Sequence, residues 1–475
     1  MYNPKSSKAA EFIDDTEIRA TLRYAEENRV NAALIDGILR KARERKGLDH
    51  REASVLLACA LPEQNVALLG LAREIKQAFY GNRIVLFAPL YLSNYCINGC
   101  VYCPYQCHNK TIPRRKLSQP EIAREVAALQ DMGHKRLALE TGEHPLYNPL
   151  EYVLESLETI YSVKHRNGAI RRANVNIAAT TVEAYRKLRD AGIGTYILFQ
   201  ETYHRETYEQ LHPTGPKSDY AWHTEAMDRA MQGGVEDVGL GVLFGLKRYK
   251  YEFTALLMHA EHLEAAFGVG PHTVSVPRVK FADGVNPGDF KGALSDEAFA
   301  KVIACIRLAV PYTGMIISTR EGAELRARAL ALGVSQLSGG SRTSVGGYAV
   351  GEEAAAAAQD TEQFEVSDHR TLDEVVRWLM ELGYIPSFCT ACYRQGRTGD
   401  RFMQLVKTNQ IQNCCHSNAL MTLEEFLLDY ASPATRQLGE RLIESEIGHI
   451  PLEKMRRLVQ THLVQIKAGE RDFRV

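Results

Sequence analysis

Cys96, Cys100 and Cys103 stand close together in the sequence, in a C-x3-C-x2-C spacing. Thiolates at this spacing can bind three irons of a [4Fe–4S] cluster, which ordinarily takes four cysteine ligands. One iron is then left open to a ligand from outside the protein. Gly99 is expected to relieve the turn that lets the thiolates converge, and Tyr102 is expected to shield the metal from solvent. A chance group of buried cysteines and a zinc site are the alternative interpretations.

A second group of cysteines lies far downstream. Two residues separate Cys389 from Cys392, and Cys415 follows after 22 more residues. From spacing alone, these three with His416, or with the adjacent Cys414, can form a structural zinc site. An Fe–S cluster is the alternative, and the spacing by itself leaves both open.

The remaining cysteines and the termini indicate the compartment. Cys59, Cys107 and Cys305 stand alone in the sequence and are predicted to be buried small hydrophobic residues. The N-terminal residues lack the apolar segment of a secretory signal, and no apolar run approaches the roughly 18 residues that span a bilayer. A cytoplasmic protein without membrane contact is therefore expected. In a reducing compartment, clustered cysteines indicate metal ligands rather than disulfides.

The charge balance excludes some classes of partner. The chain has 57 Lys and Arg residues against 58 Asp and Glu residues, a net charge of -1. Proteins that bind nucleic acids or anionic membranes draw affinity from an excess of positive charge. No nucleic-acid partner is expected, and a small-molecule substrate is favoured. The 475 residues, 45% of them hydrophobic, are enough for a large core and more than one domain.

Eight short apolar, β-rich runs alternate with helix-like segments in the middle of the chain. They lie at 84–90, 136–142, 174–180, 195–201, 237–246, 273–279, 315–320 and 334–340. This number over about 260 residues predicts an α/β fold, a closed (β/α)8 barrel of the TIM type. A doubly wound open sheet is the competitor, but no glycine-rich dinucleotide fingerprint follows the first strand. The first cysteine group would lie at the C-terminal ends of the strands, where barrel enzymes carry out chemistry.

The pattern divides the chain into three regions. Residues 1–83 are predicted to be a helical N-terminal extension, residues 84–350 the barrel, and residues 351–475 a mainly helical, cluster-binding C-terminal domain. The alanine-rich and acidic segment 351–368 is interpreted as a linker or surface helix. In the C-terminal domain, helices are predicted at 372–382 and 423–430. The cysteines of this domain, namely Cys389, Cys392, Cys414 and Cys415, are placed on the segments between helices.

Three cysteines on a loop after the first strand of such a barrel resemble the radical S-adenosylmethionine (SAM) superfamily over residues 84–345. The resemblance implies that Cys96, Cys100 and Cys103 bind a [4Fe–4S] cluster with SAM on its open iron. An electron donor such as flavodoxin or ferredoxin would reduce the cluster, which then cleaves SAM to a 5′-deoxyadenosyl radical. The SAM-binding positions of the superfamily correspond here to the turn after the second strand and to a carboxylate after the fourth. These residues are Glu140, Thr141, Gly142 and Glu143 in the turn, and Glu201.

The C-x2-C-x22-C spacing after this barrel resembles the tyrosine lyases of the HydG family, which are relatives of the ThiH-type 2-iminoacetate synthases. The resemblance implies that Cys389, Cys392 and Cys415 bind an auxiliary [4Fe–4S] cluster, with Cys414 as a neighbour and not a ligand. It also implies an additional labile iron, held by a histidine and a non-protein cysteine. His272, at the amino end of the barrel, is the candidate for this histidine, with His259 and His262 in reserve.

The implied reaction breaks the Cα–Cβ bond of L-tyrosine, leaving p-cresol and dehydroglycine. The latter would yield CO and cyanide on the auxiliary cluster, for use with other [FeFe]-hydrogenase maturation proteins. Arg320, at the end of the seventh strand, or Arg342, after the eighth, would bind the tyrosine carboxylate. The alternatives are a 2-iminoacetate synthase of thiamine thiazole biosynthesis with a zinc-bound tail, and a non-catalytic Fe–S scaffold protein.

Overall fold

Five helices precede the first strand in the computed structural model, which describes residues 1–349, 361–408 and 410–475. Four of them begin where the local sequence supplies a capping side chain or a proline. Asp49, for example, accepts from the backbone N–H of Glu52, while the Glu52 carboxylate accepts from the N–H of Asp49. The helices are α1 (Ala9–Phe12), α2 (Asp15–Glu27), α3 (Ala32–Arg43), α4 (His50–Ala58) and α5 (Pro62–Tyr80).

Eight parallel strands close into a barrel, as predicted. Each of the eight apolar runs overlaps one strand: β1 (Arg83–Ser93), β2 (Arg136–Thr141), β5 (Arg172–Asn176), β6 (Tyr196–Ile197), β7 (Val238–Gly241), β8 (Thr273–Ser275), β9 (Gly314–Ile317) and β10 (Gln336–Ser338). Two-residue strands β3 (Lys164–His165) and β4 (Gly168–Ala169) form a separate hairpin. Pairing of β10 with β1 closes the barrel, with Val85 opposite Gln336 and Phe87 opposite Ser338.

The helices between the strands cover the outside of the barrel. They are α6 (Gln119–Asp131), α7 (Leu150–Ser162), α8 (Val182–Asp190), α9 (Arg205–Leu211), α10 (Tyr220–Thr224), α11 (Ala226–Gln232), α12 (Tyr249–Phe267), α13 (Asp296–Ala309) and α14 (Ala323–Leu332), with 3-10 turns at Pro216–Ser218 and Pro287–Asp289. On β1, Ile84, Leu86 and Ala88 are fully buried against the helices. The alternate residues therefore face the barrel interior.

The C-terminal region is mainly helical, as predicted, but it also contributes a strand. Its elements are α15 (Leu372–Glu381), β11 (Ile385–Ser387), α16 (Ala391–Arg394), α17 (Gly399–Lys407), α18 (Ile411–Asp429), α19 (Pro433–Ile447) and α20 (Glu453–Lys467). β11 pairs in parallel with β1, which thus has three neighbours along its length. The region therefore continues the barrel sheet. Residues 351–360 of the predicted linker lie outside the described residues.

The prediction for Cys414 and Cys415 was wrong in one respect. Both lie inside α18, which begins 12 residues before the predicted helix at 423–430. The polar residues Gln412, Asn413, His416 and Ser417 mask the start of this helix in the sequence, because such residues favour other local structures. Packing against β11, α19 and α20 keeps them helical. None of the helices in the described ranges is both long and apolar enough to cross a bilayer.

A buried ion pair connects the barrel to the region after it. The Arg326 side chain on α14 is fully buried, and its Nη1 pairs with the Asp368 carboxylate while its Nη2 donates to the carbonyl of Ser338. Arg370 adds a second cation 2.6 Å from Asp368. Although burial alone would raise the pKa of Asp368, the hydrogen bonds and charges of Arg370 and Arg326 lower it to about 2. The carboxylate is therefore ionised at neutral pH.

We expect Asp368→Ala to lower the free energy of unfolding by about 3–5 kcal/mol, because it leaves the Arg326 guanidinium buried without a counter-ion. Urea denaturation of the apoprotein, followed by circular dichroism, measures this loss. Glu381→Ala is the control, since its partner Arg377 is 4.0 Å away and both side chains are exposed; it should change the free energy by less than about 1 kcal/mol. Equal effects of the two substitutions would contradict the assignment.

Candidate functional site

The first cavity opens at the C-terminal ends of the barrel strands. Cys96, Cys100 and Cys103 line it together with Tyr102, on the loop that follows β1. All three cysteines are free thiols. Burial raises the pKa of Cys96 and Cys100 above the usual range and that of Cys103 to about 12. Buried, unpaired thiols that share one cavity fit a cluster, because bound iron supplies the positive charge that stabilises thiolates.

Backbone contacts from the end of α9 and the residues just after it hold this cysteine loop. The N–H of Gly99 donates to the carbonyl of Thr214 over 3.0 Å, and that of Val101 donates to Leu211 over 3.0 Å. A Cβ on Gly99 would lie 2.4 Å from Thr214 Oγ1. Gly99 is thus required for the close approach of another loop, rather than for the turn that the sequence suggested.

The turn after β2 holds the other side of the cysteine loop. A Cβ on Gly142 would lie 2.4 Å from the carbonyl oxygen of Tyr95, so a side chain is excluded there. The Glu143 carbonyl accepts from the N–H of Ile97 over 2.8 Å, and its carboxylate accepts from Asn98 over 2.6 Å. The predicted turn, Glu140 to Glu143, therefore lines the cavity and also positions the cysteines.

Glu201 also lines the cavity, in a backbone conformation that non-glycine residues rarely adopt, with φ of 66°. Its carboxylate pairs with Lys217 over 2.9 Å. Burial alone would lower the pKa of Lys217, but Glu201 and the Cys100 thiol raise it above the usual range. Lys217 carries no signal in the sequence beyond its place five residues after His212. The His212 ring forms a hydrogen bond with the Tyr102 hydroxyl over 2.7 Å.

Arg320 and Glu140 both line the cavity, where the charge of Arg320 acts on the Glu140 carboxyl group. The Arg320 guanidinium lies 3.6 Å from the centre of the Phe364 ring and has no hydrogen bond to a described residue. Burial raises the pKa of Glu140 to about 8, although a hydrogen bond with Asn176 and the charge of Arg320 act in the opposite direction. The cavity thus offers a free cation and a carboxyl group that is neutral at pH 7.

Arg342 is not brought into the cavity. Its side chain is exposed, and its backbone N–H donates to the Tyr348 hydroxyl over 3.0 Å. Arg342 does not line the cavity, whereas Arg320 does. Of the two arginines proposed to bind a carboxylate, the geometry therefore favours Arg320.

The second cavity lies at the N-terminal ends of the strands. Cys389, Cys392 and Cys415 line it together with His272. Cys389 follows β11, Cys392 lies in α16 and Cys415 in α18, so the pairing of β11 with β1 brings these thiols beneath the barrel. Burial raises the pKa of Cys389. The chemistry of the donor set, three free thiols and one imidazole, fits a cluster that carries a further ligand.

Hydrogen bonds and ring contacts hold the His272 side chain in this cavity. Its Nδ1 lies 3.3 Å from Asp237 Oδ1 and its Nε2 lies 3.3 Å from the Tyr393 hydroxyl. The Phe402 ring packs against it at 4.7 Å between centres. The reserve candidates do not line the cavity: His259 contacts the Tyr203 hydroxyl, and His262 contacts Asp228.

The other cysteines differ from one another in burial. Cys59 and Cys305 are buried, as predicted, at 4% and 0% exposure. Cys107 is only half-buried, so the prediction was wrong there; its backbone N–H donates to Asn98 at the edge of the cysteine loop. The Cys414 thiol donates to the carbonyl of Ile411 and does not line the second cavity.

The positions of the thiols are relevant to the alternative interpretation, a zinc site. Within residues 1–349, 361–408 and 410–475, no three His, Cys, Asp or Glu side chains converge closely enough to hold a single metal ion. Zinc requires its ligands to converge tetrahedrally on one atom, about 2.3 Å from each sulfur. A cubane cluster instead distributes its thiolates over separate irons. Neither cavity therefore presents the single point of convergence that a zinc site requires.

Two family models match the chain. The model of the radical SAM superfamily matches residues 90–257, and that of the biotin and thiamin synthesis associated domain matches residues 275–385. The first match includes the cysteine loop, the turn after β2 and Glu201. The second ends at the first residue of β11.

Solved structures match almost the whole chain. A crystal structure of HydG, described as a maturase of the [FeFe]-hydrogenase, is 50% identical, with a TM-score of 0.94, over 98% of this chain and 100% of that one. HydG from Carboxydothermus hydrogenoformans is 38% identical, with a TM-score of 0.82, over 96% and 99%. The 2-iminoacetate synthase of Escherichia coli (strain K12) is 30% identical over 317 residues, which are 66% of this chain and 80% of the synthase.

Anaerobic reconstitution should load about eight irons per chain if each cavity holds one [4Fe–4S] cluster. We expect the triple variant Cys96→Ala, Cys100→Ala, Cys103→Ala and the double variant Cys389→Ala, Cys392→Ala each to retain about four. Iron and zinc analysis by mass spectrometry checks this, with Cys305→Ala as a control that should keep all eight. About four irons and one zinc in the unaltered chain would contradict the second cluster.

Proposed function

Because the chain belongs to the HydG family of radical SAM proteins, we propose that it is a tyrosine lyase of [FeFe]-hydrogenase maturation. It would cleave the Cα–Cβ bond of L-tyrosine to p-cresol and dehydroglycine, and then convert dehydroglycine to CO and cyanide. Its partners would be an electron donor such as flavodoxin or ferredoxin and the other maturation proteins, in the cytoplasm.

The observation that carries this proposal is the presence of two three-cysteine cavities back to back in one barrel. On β1, Val85 lines the second cavity and Phe87 the first; on β2, Arg136 lines the second and Ala138 the first. These are successive inward-facing residues, roughly 7 Å apart along a strand. A small fragment released in the first cavity would thus have only a short distance to cross to reach the second.

The fraction of the chain that each relative covers distinguishes the proposal from its main alternative, a 2-iminoacetate synthase. The HydG structures cover 96% or more of this chain, whereas the alignment with the 2-iminoacetate synthase covers 66%. A synthase that stops at dehydroglycine needs one cluster, while the second group of cysteines here lines a cavity of its own. These facts support a reaction in two stages.

When bound, the first cluster and SAM would supply a 5′-deoxyadenosyl radical, and the auxiliary cluster would supply the site of CO and cyanide formation. Cys96, Cys100 and Cys103 would hold the first cluster, with SAM against the turn at Glu140 to Glu143 and against Glu201. Cys389, Cys392 and Cys415 would hold the auxiliary cluster, with His272 for an additional labile iron next to a non-protein cysteine.

The chain's own groups would orient tyrosine and exclude water. The free Arg320 guanidinium suits a two-point contact with the tyrosine carboxylate. Glu140, neutral at pH 7 because it is buried, would leave that guanidinium uncompensated until substrate arrives. Tyr102 and the Phe364 ring add apolar surface to the cavity walls, which would protect a radical from solvent.

We expect the double variant Cys389→Ala, Cys392→Ala to release p-cresol from tyrosine while losing CO release, because tyrosine cleavage would occur in the other cavity. Chromatography measures p-cresol, and binding to deoxymyoglobin measures CO. Unchanged CO release would show that the second cysteine group has another role. The absence of both p-cresol and 5′-deoxyadenosine from the reconstituted wild-type chain would instead favour a scaffold protein.

The KM for tyrosine should rise as the pH increases through about 8, because Glu140 then ionises, competes for Arg320 and repels the substrate carboxylate. Initial rates of p-cresol release between about pH 6.5 and 8.5 measure this. In Glu140→Gln the side chain is neutral at every pH, so the rise should be absent. The same rise in both proteins would exclude Glu140 as its cause.

A further inference from the structure

The second cavity contains two arginines whose hydrogen-bond donors are not all paired within the described chain. Arg83 is the first residue of β1 and Arg136 the first residue of β2, and both line the cavity. Arg83 Nη2 and Arg136 Nε are buried atoms without a hydrogen-bond partner in the part of the chain that the structure describes. A buried charged donor that lacks an acceptor is costly. The cavity therefore offers two donors for which the described chain provides no acceptor.

The two arginines have different surroundings. Arg136 Nη2 donates to the carbonyl of Cys389 over 2.9 Å, so this side chain helps to hold the cysteine loop. The Arg83 side chain has no hydrogen bond to a described residue; its guanidinium lies over the Tyr80 ring at 5.5 Å. Arg83 is thus the cation of this cavity that no described residue binds directly.

The described residues of the cavity wall supply no carboxylate to Arg83. Among the described lining residues, the acidic side chain is Asp237, which accepts from the N–H of Gly399 over 2.9 Å and lies 3.3 Å from His272. Arg172, a further cation nearby, lies against the far side of this wall, 4.2 Å from the centre of the Tyr393 ring. The excess of positive charge suits a small anion as well as a cluster.

The chemistry of the fragment that reaches this cavity matches the free cation, provided that the proposed function is correct. Dehydroglycine, HN=CH–COO⁻, carries one carboxylate, and its conversion to CO, CN⁻ and H2O balances in atoms and charge without an oxidant. A guanidinium binds a carboxylate through two parallel hydrogen bonds, which fixes its orientation as well as its position. We propose that Arg83, supported by Arg136, binds the carboxylate of dehydroglycine beside the auxiliary cluster.

Partition of the fragment tests this assignment in the reconstituted holoenzyme. Dehydroglycine that is not held escapes and hydrolyses to glyoxylate, so the ratio of cyanide to p-cresol measures retention. In Arg83→Gln this ratio should fall about tenfold, as glyoxylate rises to account for the missing cyanide. In Arg83→Lys, which keeps the charge but loses the two-point contact, the ratio should fall less. Arg394→Gln is the matched control, because Arg394 lies on α16 beside Cys392 but pairs with Asp472 outside the cavity.

A binding measurement separates this role from a merely structural one. Oxamate, a stable analogue of dehydroglycine, is titrated into reduced holoenzyme that is saturated with SAM, and the electron paramagnetic resonance signal that is insensitive to SAM is followed. Oxamate should alter this signal in the wild type and in Arg394→Gln at similar concentrations. In Arg83→Gln about tenfold more oxamate should be required.

Three outcomes would overturn the inference. They are a wild-type ratio of cyanide to p-cresol in Arg83→Gln, an unchanged oxamate titration in that variant, and the loss of about four irons from both Arg83 variants, which would assign Arg83 to holding the cluster. The proposed function fails separately, if the wild-type chain releases no p-cresol from tyrosine.

Discussion

Closure of the parallel sheet through the pairing of β10 with β1 is the constraint on which the two cavities depend. In a closed parallel barrel, all strands end at one face and begin at the other. Residues that follow strands, such as Cys96 and Glu201, therefore meet at one face, while residues that begin strands, such as Arg83 and Arg136, meet at the opposite one. The barrel interior lies between these two sites and separates them.

The C-terminal region takes part in this architecture because its strand adds to the barrel sheet. β11 pairs with the first residues of β1, with Arg83 opposite Ile385 and Val85 opposite Ser387. Cys389 follows two residues after this pairing, so the sheet hydrogen bonds fix the distance between the second cysteine group and the barrel floor. The same pairing brings Arg83 into the cavity that Cys389 lines. The second site is thus as rigidly placed as the first.

Both cavities contain buried charges that the described chain leaves without hydrogen-bond partners. Arg320 in the first cavity and Arg83 in the second are cations that face open space, and each lies against an aromatic ring. Burying such groups costs stability, which the fold tolerates because its core is large. Close packing at Gly142 holds the cysteine loop against the turn after β2, since a side chain there would meet the backbone of Tyr95. The unpaired charges of Arg320 and Arg83 lower the free energy of unfolding, and bound ligands would restore it.

Much of this arrangement is encoded in local patterns. Eight apolar runs specify eight strands, and the spacing of Cys96, Cys100 and Cys103 identifies a metal-binding loop, because neither depends on distant contacts. The position of Lys217 beside Glu201, the exclusion of Arg342 from the cavity and the helical state of Cys415 were not accessible in this way. Each results from how segments far apart in the chain pack together, and packing can hold a polar stretch in a helix or turn a side chain outward against its local preference. The unpaired guanidinium of Arg83 is a further example. The residue type is visible in the sequence, but its lack of a described hydrogen-bond partner follows only from the way in which two strands and a distant helix enclose it.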